Sequence, residues 1–327
     1  MIRQGLCESR KRWFFPYPTV ILLVGIVLTC LIGATPAVAT EQKVFISPPE
    51  AVQALVNAVS DNNNVELLAI LGPEAEDLIY SGDPVADQKR KARFLSVFNE
   101  QHHFEHEGDT KAILIIGSQN YPFPIPITQQ GNVWIFDTAA GREEILNRRI
   151  GRNELCTIKV LQAYIDAQRE YAAVDRNSDG YPEFAQQFAS SKGRKDGLYW
   201  ETGKGEQESP FGPLIARATL QGYAGSFKQH QRSEPFHGYY YKILKAQGPH
   251  ANGGAFDYIV KGNMILGFAL VAYPAKYGSS GIMTFMVNHE GDIYEKDLGI
   301  NSAAVAGAMT LFDPDETWQR CQEVAER

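Results

Sequence analysis

The period of the apolar residues changes from helical to alternating twice along this chain. That repeated switch limits the fold more than any other feature. The first helical stretch opens with "SPPEAVQALVNAVSDNN". Ser47 and Glu50 form a capping box, the prolines sit in the first turn, and Val52, Leu55, Val56 and Val59 follow at helical spacing. A short second helix fits Val65 to Leu71, stopped by Gly72-Pro73, and a third, capped by Asp83-Pro84, runs from Val85 to about Gln101. Strand patterns then take over in "KAILIIG", "PFPIPITQQG" and "NVWIFDT", the last two joined by a Gln-Gln-Gly hairpin turn.

The second switch starts with "RNELCTIKVLQAYIDAQREYAAVD", a long helix with an apolar stripe of Leu155, Ile158, Leu161, Ile165 and Ala172. A loop-rich region from about Ser190 to Pro235 separates it from "GYYYKILKAQ", "AFDYIVKGNMILGFALVAYP" and "GIMTFMVNHEGDIYEKDL". The last reads as a hairpin turning at His289 to Asp292. In Tyr239 to Tyr241, Tyr240 is expected on one face and its neighbours on the other, as in a half-buried sheet. Helices segregated from antiparallel strands make the fold class α+β. The expected division is a leader at 1–39, a first α+β domain at 40–150, a second at 151–318 and a tail at 319–327.

The leader carries Arg3, Arg10, Lys11 and Arg12, then the apolar run "TVILLVGIVLTCLIGA", then Ala37 and Ala39 in an A-x-A pattern. This is the order of a signal peptide, with cleavage expected after Ala39 and a periplasmic or extracellular product. The alternative is an uncleaved anchor, the only route by which a membrane enters. Loss of the leader removes four basic residues and one acidic one, making the net charge of −7 three units more negative. Such an acidic chain has no basic field for nucleic acid. The expected partner is an envelope or extracellular one, of no chemistry the sequence names.

Cys156 and Cys321 remain after the leader, and export favours one bridge between them, with two separate buried thiols as the alternative. The best metal candidate is "DRNSDGYPEF". Asp175, Asn177 and Asp179 place oxygens on alternate positions, Gly180 permits a sharp turn, the Tyr181 carbonyl adds a ligand, and Glu183 holds the ninth position. A structural Ca2+ is the cofactor this implies. The twelfth residue is Gln186 instead of a bidentate glutamate, and the alternative is a polar turn in which Asp175 and Asn177 cap backbone groups. His102 and His106, with His103 between them, would share a helix face and could hold a metal, or could favour a helix C-terminus.

No catalytic residue is identified. Asp137 and Glu143 in "FDTAAGREEIL" suit paired carboxylates, but suit equally a strand end followed by a helix start capped by Thr138 or Gly141. Ser279 or Ser280 with His237 and Asp257 would supply triad chemistry, yet nothing in the sequence brings them together, and "YGSSG" reads as a turn. The sequence contains no G-x-S-x-G, HExxH or P-loop motif.

Three resemblances follow from these stretches. The helices leading into a sheet that ends in W-x-F-D resemble the nuclear-transport-factor-2-like cone. The order "AQREYA", "GYYYKIL" and "FALVAYPAKYGSSGIMTFMVNHEGDIYEKDLG" is similar to the soluble part of type IV pilin-like proteins, although a whole domain separates the apolar leader from the long helix. The stretches "ILGPEAEDLIYSGDPVAD", "FPIPI", "FDTAAGREEILNRRIGRNEL", "GLYW", "GPHANGGAFDYIV" and "GFALVAYPAKYGSSGIMTF", between about residues 46 and 315, resemble the exported bacterial domain-of-unknown-function family number 2950. That family carries no assigned activity. The expectation is a non-catalytic binding or envelope-structural module. The alternative is a hydrolase using the cone cavity or an inter-domain cleft.

Overall fold

The computed structural model describes residues 41–176, 178–203, 205–223 and 234–321. The expected leader and its cleavage point lie outside them, as do Asn177 and most of the tail. Helix α1 (Pro48–Ser60) starts where the capping box places it: Ser47 Oγ accepts the Glu50 N–H, and the Glu50 carboxylate accepts the Ile46 N–H at 2.9 Å. Helix α2 (Asn64–Leu71) is capped by Asn63 and stops at Gly72, whose φ of +83° suits a residue without Cβ. A single turn, α3 (Glu76–Ile79), leads to α4 (Pro84–Glu100), capped by Asp83 on the Ala86 N–H at 2.9 Å.

The first antiparallel sheet contains β1 (His102–His106), β2 (Lys111–Ile116), β3 (Tyr121–Pro122), β4 (Ile127–Gln130) and β5 (Val133–Phe136). Its order is β1-β2-β4-β5, with β3 added to β2. Its inner face and α1 and α2 form one apolar core around Leu55, Leu67, Ile70, Leu114, Ile127 and Phe136.

Helix α5 (Thr138–Ala172) is 35 residues long and corrects the expected organisation. It begins directly after β5, capped by Asp137 on the Ala140 N–H, and the boundary expected at residue 150 falls inside it. One helix therefore serves both layers. Gly141 makes this possible at the start: a Cβ there would lie 2.3 Å from the Pro124 carbonyl oxygen. The expected stripe holds at Ile158, Leu161 and Ile165, but Leu155 is 47% exposed and the polar Arg149, Asn153, Thr157 and Gln168 are buried beside the stripe.

After α5 the chain makes the short helix α6 (Gly212–Leu220) inside the region expected to be loop. Then come β6 (Tyr239–Leu244), β7 (Ala246–Gln247), β8 (Phe256–Asp257), β9 (Ile259–Val260) and β10 (Asn263–Met264). They are followed by β11 (Ala269–Pro274), β12 (Met283–Asn288), β13 (Ile293–Asp297), α7 (Ser302–Ala308) and β14 (Gln319–Arg320). The second sheet is antiparallel in the order β14-β13-β12-β11-β6. Its β12–β13 hairpin turns over His289 to Asp292 as the sequence predicts, and Tyr239 and Tyr241 are buried with Tyr240 on the other face. The fold is α+β. Among the described residues no helix is long and apolar enough to cross a membrane.

The inner face of α5 fastens the two layers with polar groups. Asn153 Nδ2 donates to the Ser280 carbonyl at 2.8 Å, and the Glu154 carboxylate accepts the Ile282 and Met283 N–H groups at 2.9 and 3.0 Å. Asp83, buried at the head of α4, accepts the Tyr223 hydroxyl and the Gly238 N–H, both at 2.8 Å. Burying such groups costs little only because each finds a partner.

Candidate functional site

Within the first layer, the side chains leave a cavity of about 170 Å³. Its walls come from Leu55 and Val59 of α1, Leu67 and Leu71 of α2, and Phe94 of α4. Phe123, Ile125 and Ile145 close it from the strand connection and from α5. The charged groups on its wall are Asp87, Arg90 and Lys91 from α4 and Arg149 from α5. Local spacing explains both sets. Asp87, Arg90 or Lys91, Phe94 and Phe98 recur every three or four residues, so one face of α4 changes from charged to aromatic along its length. Ile145 and Arg149 are four apart on α5 and share a face in the same way.

The charged side chains are held differently. Arg90 pairs with Asp87, which also accepts the N–H and hydroxyl of Ser81. Lys91 donates to the amide oxygens of Asn62 and Asn64, neither of which carries charge. Arg149 is 3% exposed. Its two terminal nitrogens donate to the Asp77 carbonyl at 2.6 Å, the Ser279 hydroxyl at 3.1 Å and the Leu78 carbonyl at 2.8 Å, all neutral acceptors. Its Nε–H is buried and has no hydrogen-bond partner. Burial first, and then the neighbouring charge of Arg90, pull the Arg149 guanidinium down to about 10. It stays charged at neutral pH. The nearby Asp77 carboxylate is engaged elsewhere, with Lys276 and Arg142, each at 2.6 Å. Those two partners hold its carboxyl below the usual range against the opposing effect of burial.

The sequence-derived candidates do not assemble into a site. His102 to His106 form strand β1 and no helix. His102 and His106 still share a face, but four residues of strand span about 13 Å, too far for one ion. His102 stacks on Phe98 with ring centroids 3.8 Å apart, and its Nδ1 lies 3.1 Å from the Phe98 carbonyl oxygen. Asp137 caps α5, and Glu143 is exposed on it. His237 packs on Phe236 and Tyr223, Asp257 is an exposed strand residue, and Ser280 bonds within its own turn to Lys276. The imagined triad is not formed.

In the acidic turn, Asp175 accepts the Ser178 and Gly180 N–H groups at 2.8 and 2.9 Å, and Asp179 accepts the Tyr181 N–H at 2.9 Å. The polar-turn reading accounts for these bonds. Burial and the charges of Asp179 and Asp175 push the Glu183 carboxyl up, so the three acids are within electrostatic reach of one another. Among the described residues, no group of three or more His, Cys, Asp or Glu side chains is arranged to hold a metal ion.

The expected bridge is likewise not formed, and Cys156 and Cys321 are free, partly buried thiols. Cys156 lies within electrostatic reach of Tyr241 on edge strand β6, whereas Cys321 follows β14 and bonds through its N–H to Ile293.

The residue that sequence reasoning missed is Arg149. Stepping back along α5 from Leu161 in threes and fours reaches Thr157, Asn153 and Arg149, all buried. The signal was present in the spacing, but a stripe defined by apolar residue type cannot see it.

No curated protein and no solved structure matches this chain, so neither the cone-like nor the pilin-like similarity is shown. A family model does match, over residues 42–321, which include both sheets, all of α5 and every residue of the cavity wall. The chain belongs to the family described as "Protein of unknown function (DUF2950)".

Proposed function

We propose that this protein is an exported, non-catalytic binding module whose first layer receives a small, largely apolar ligand. The observation that carries the reading is the cavity: a space of about 170 Å³ walled by aliphatic and aromatic side chains from six separate segments, α3 included through Leu78 and Ile79. An engineered apolar cavity of about 150 Å³ binds benzene, so the volume is enough for one ring or a short branched chain. The polar groups elsewhere support a non-catalytic role, because buried Asp83, Gln168 and Ser280 and partly buried Glu154 are each engaged by hydrogen bonds to backbone groups. Such groups organise the fold and are not poised for proton transfer.

Titration of the purified protein with toluene, followed by methyl-region NMR, tests this. Shifts at Leu55, Leu67 and Leu71 are expected. A spectrum unchanged at saturating toluene sinks the reading. Export is tested by the mass of the mature chain, expected to begin at Thr40. An intact chain starting at Met1 in the membrane fraction replaces it with an anchored form.

A second role concerns the turn at Asp175. Burial first, and then the charges of Asp179 and Asp175, raise Glu183, and a cation would relieve the repulsion among the three acids. We propose a structural Ca2+ there, with Asp175, Asn177, Asp179, the Tyr181 carbonyl and Glu183 as its oxygen donors, pinning the end of α5 to the following segment.

A further inference from the structure

We infer that the ligand of the first-layer cavity is a small organic anion, a carboxylic acid whose ring or branched chain fills the apolar space and whose carboxylate meets Arg149, with Arg90 and Lys91 beside it. This rests on the reading of the cavity as a ligand site and adds the ligand's charge and size.

Three observations converge. First, Arg149 is buried with neutral partners only, and its Nε–H is unpaired. A buried charge with no direct ion pair, which the Asp87 and Asp77 carboxylates favour only from a distance, is expensive, and a buried donor left unpaired adds to that cost. Second, the wall carries three cations and one anion. The anion, Asp87, is engaged by Arg90 and Ser81, while Lys91 is bonded to uncharged amides. Asp87 acts on Lys91 and Arg149 as well as on Arg90, so the wall keeps a net positive charge that one carboxylate offsets only in part, and a ligand carboxylate would gain from the remainder. Third, the terminal nitrogens of Arg149 already carry three bonds, so its Nε–H is the donor left for a carboxylate, while the surrounding wall matches hydrocarbon. A bare inorganic anion would leave that wall unfilled, and a neutral hydrocarbon would leave the charges unanswered. The volume of about 170 Å³ suits an apolar part of about one ring.

The test compares phenylacetate, phenylacetamide and acetate by calorimetry on the purified protein, with arginine Nε–H resonances followed by NMR. Phenylacetate is expected to bind at least tenfold more tightly than either of the others and to shift the Arg149 Nε–H signal. The preference over the amide is expected to shrink several-fold in Arg90→Met and Lys91→Met. These partly exposed positions are chosen because Arg149→Met removes bonds that hold the fold. Equal affinity for phenylacetate and phenylacetamide overturns the anion assignment and leaves the apolar cavity standing. Acetate binding as tightly as phenylacetate overturns the amphipathic ligand in favour of a plain anion site. Binding of no aromatic probe overturns both readings. A tight phenylacetate complex in which the Arg149 signal does not move removes Arg149 from the contact.

Discussion

Arg149 and Gln168 lie nineteen positions apart on the same helix, both buried, and they end in opposite conditions. Gln168 sits in the second layer, where its Nε2 donates to the Tyr164 hydroxyl and the Ala185 carbonyl and its Oε1 accepts the Ala185 N–H, all within 2.9 Å. Aromatic rings pack closely around it: Tyr164 meets Phe268 edge-on at 5.6 Å, and Phe268 meets Phe184 at 4.8 Å. Arg149 sits where the first layer leaves a cavity, and one of its donors is unpaired. Around Gln168 the aromatic core satisfies the polar group it buries, although Thr284 Oγ1, His289 Nδ1 and Ser302 Oγ elsewhere in that layer have no partner. Arg149 borders a space and keeps an unpaired donor, and on these two observations the proposed ligand site rests.

The contrast is open to direct attack. The largest effect is expected where the satisfied kind of contact joins the two layers. Asp83→Ala removes the cap of α4 and leaves the Tyr223 hydroxyl and the Gly238 N–H unpaired. A loss of about 3–5 kcal/mol in denaturant unfolding is expected. A loss below about 1 kcal/mol means the layers do not depend on this join. Gln168→Ala strands the N–H and C=O of Ala185 and is expected to cost about 2–4 kcal/mol by the same measurement. If it costs no more than an exposed substitution such as Glu143→Ala, the surroundings of Gln168 are not the tightly satisfied core described.

Alkaline pH probes the same layer. Burial pushes Tyr171 and Cys321 up to about 12, and raises Tyr164, Tyr239 and Tyr241 further. For a raised pKa the folded state holds its protons after the unfolded chain has lost them. The stabilisation is therefore complete below the ordinary tyrosine and thiol values and is lost as pH rises through the folded ones. The melting temperature should hold up to about pH 9 and fall steeply from about pH 10 to 12. A flat profile to pH 12 contradicts the burial.

Smaller effects belong to the cavity and the acidic turn. Val59→Leu adds one methylene to the wall and should stabilise by about 0.8 kcal/mol if the space accepts it. It should also weaken phenylacetate binding, and destabilisation with unchanged binding would show that the added carbon is not in that space. Calcium should raise the melting temperature by a degree or two at millimolar concentration, in the range of extracellular modules. The rise should vanish in Asp179→Ala. No heat at several millimolar calcium leaves the turn as a turn.

The sequence by itself determined the elements whose cause is local. The Ser47, Asp83 and Pro84 signals set helix starts, Gly72 set a stop, and the short apolar and aromatic runs "MTFMVN" and "YYYKIL" marked strands of the second sheet, with the β12–β13 turn at His289 to Asp292. It also determined the family, through stretches spread along nearly the whole chain. Only the tertiary structure decided what depends on distant partners. The histidines of β1 became strand because "HHFEH" pairs in register with Ile116 to Ala112, a contact that no local preference encodes. The boundary at 150 vanished because α5 continues from Asp137 to Ala172, its polar inner face stabilised by Ser279, Ser280 and the β12 backbone, more than 120 residues away in sequence. Arg149 is the clearest case. Residue type marks an arginine as exposed, and its burial follows only when the carbonyls of Asp77 and Leu78 and the hydroxyl of Ser279 arrive to receive it.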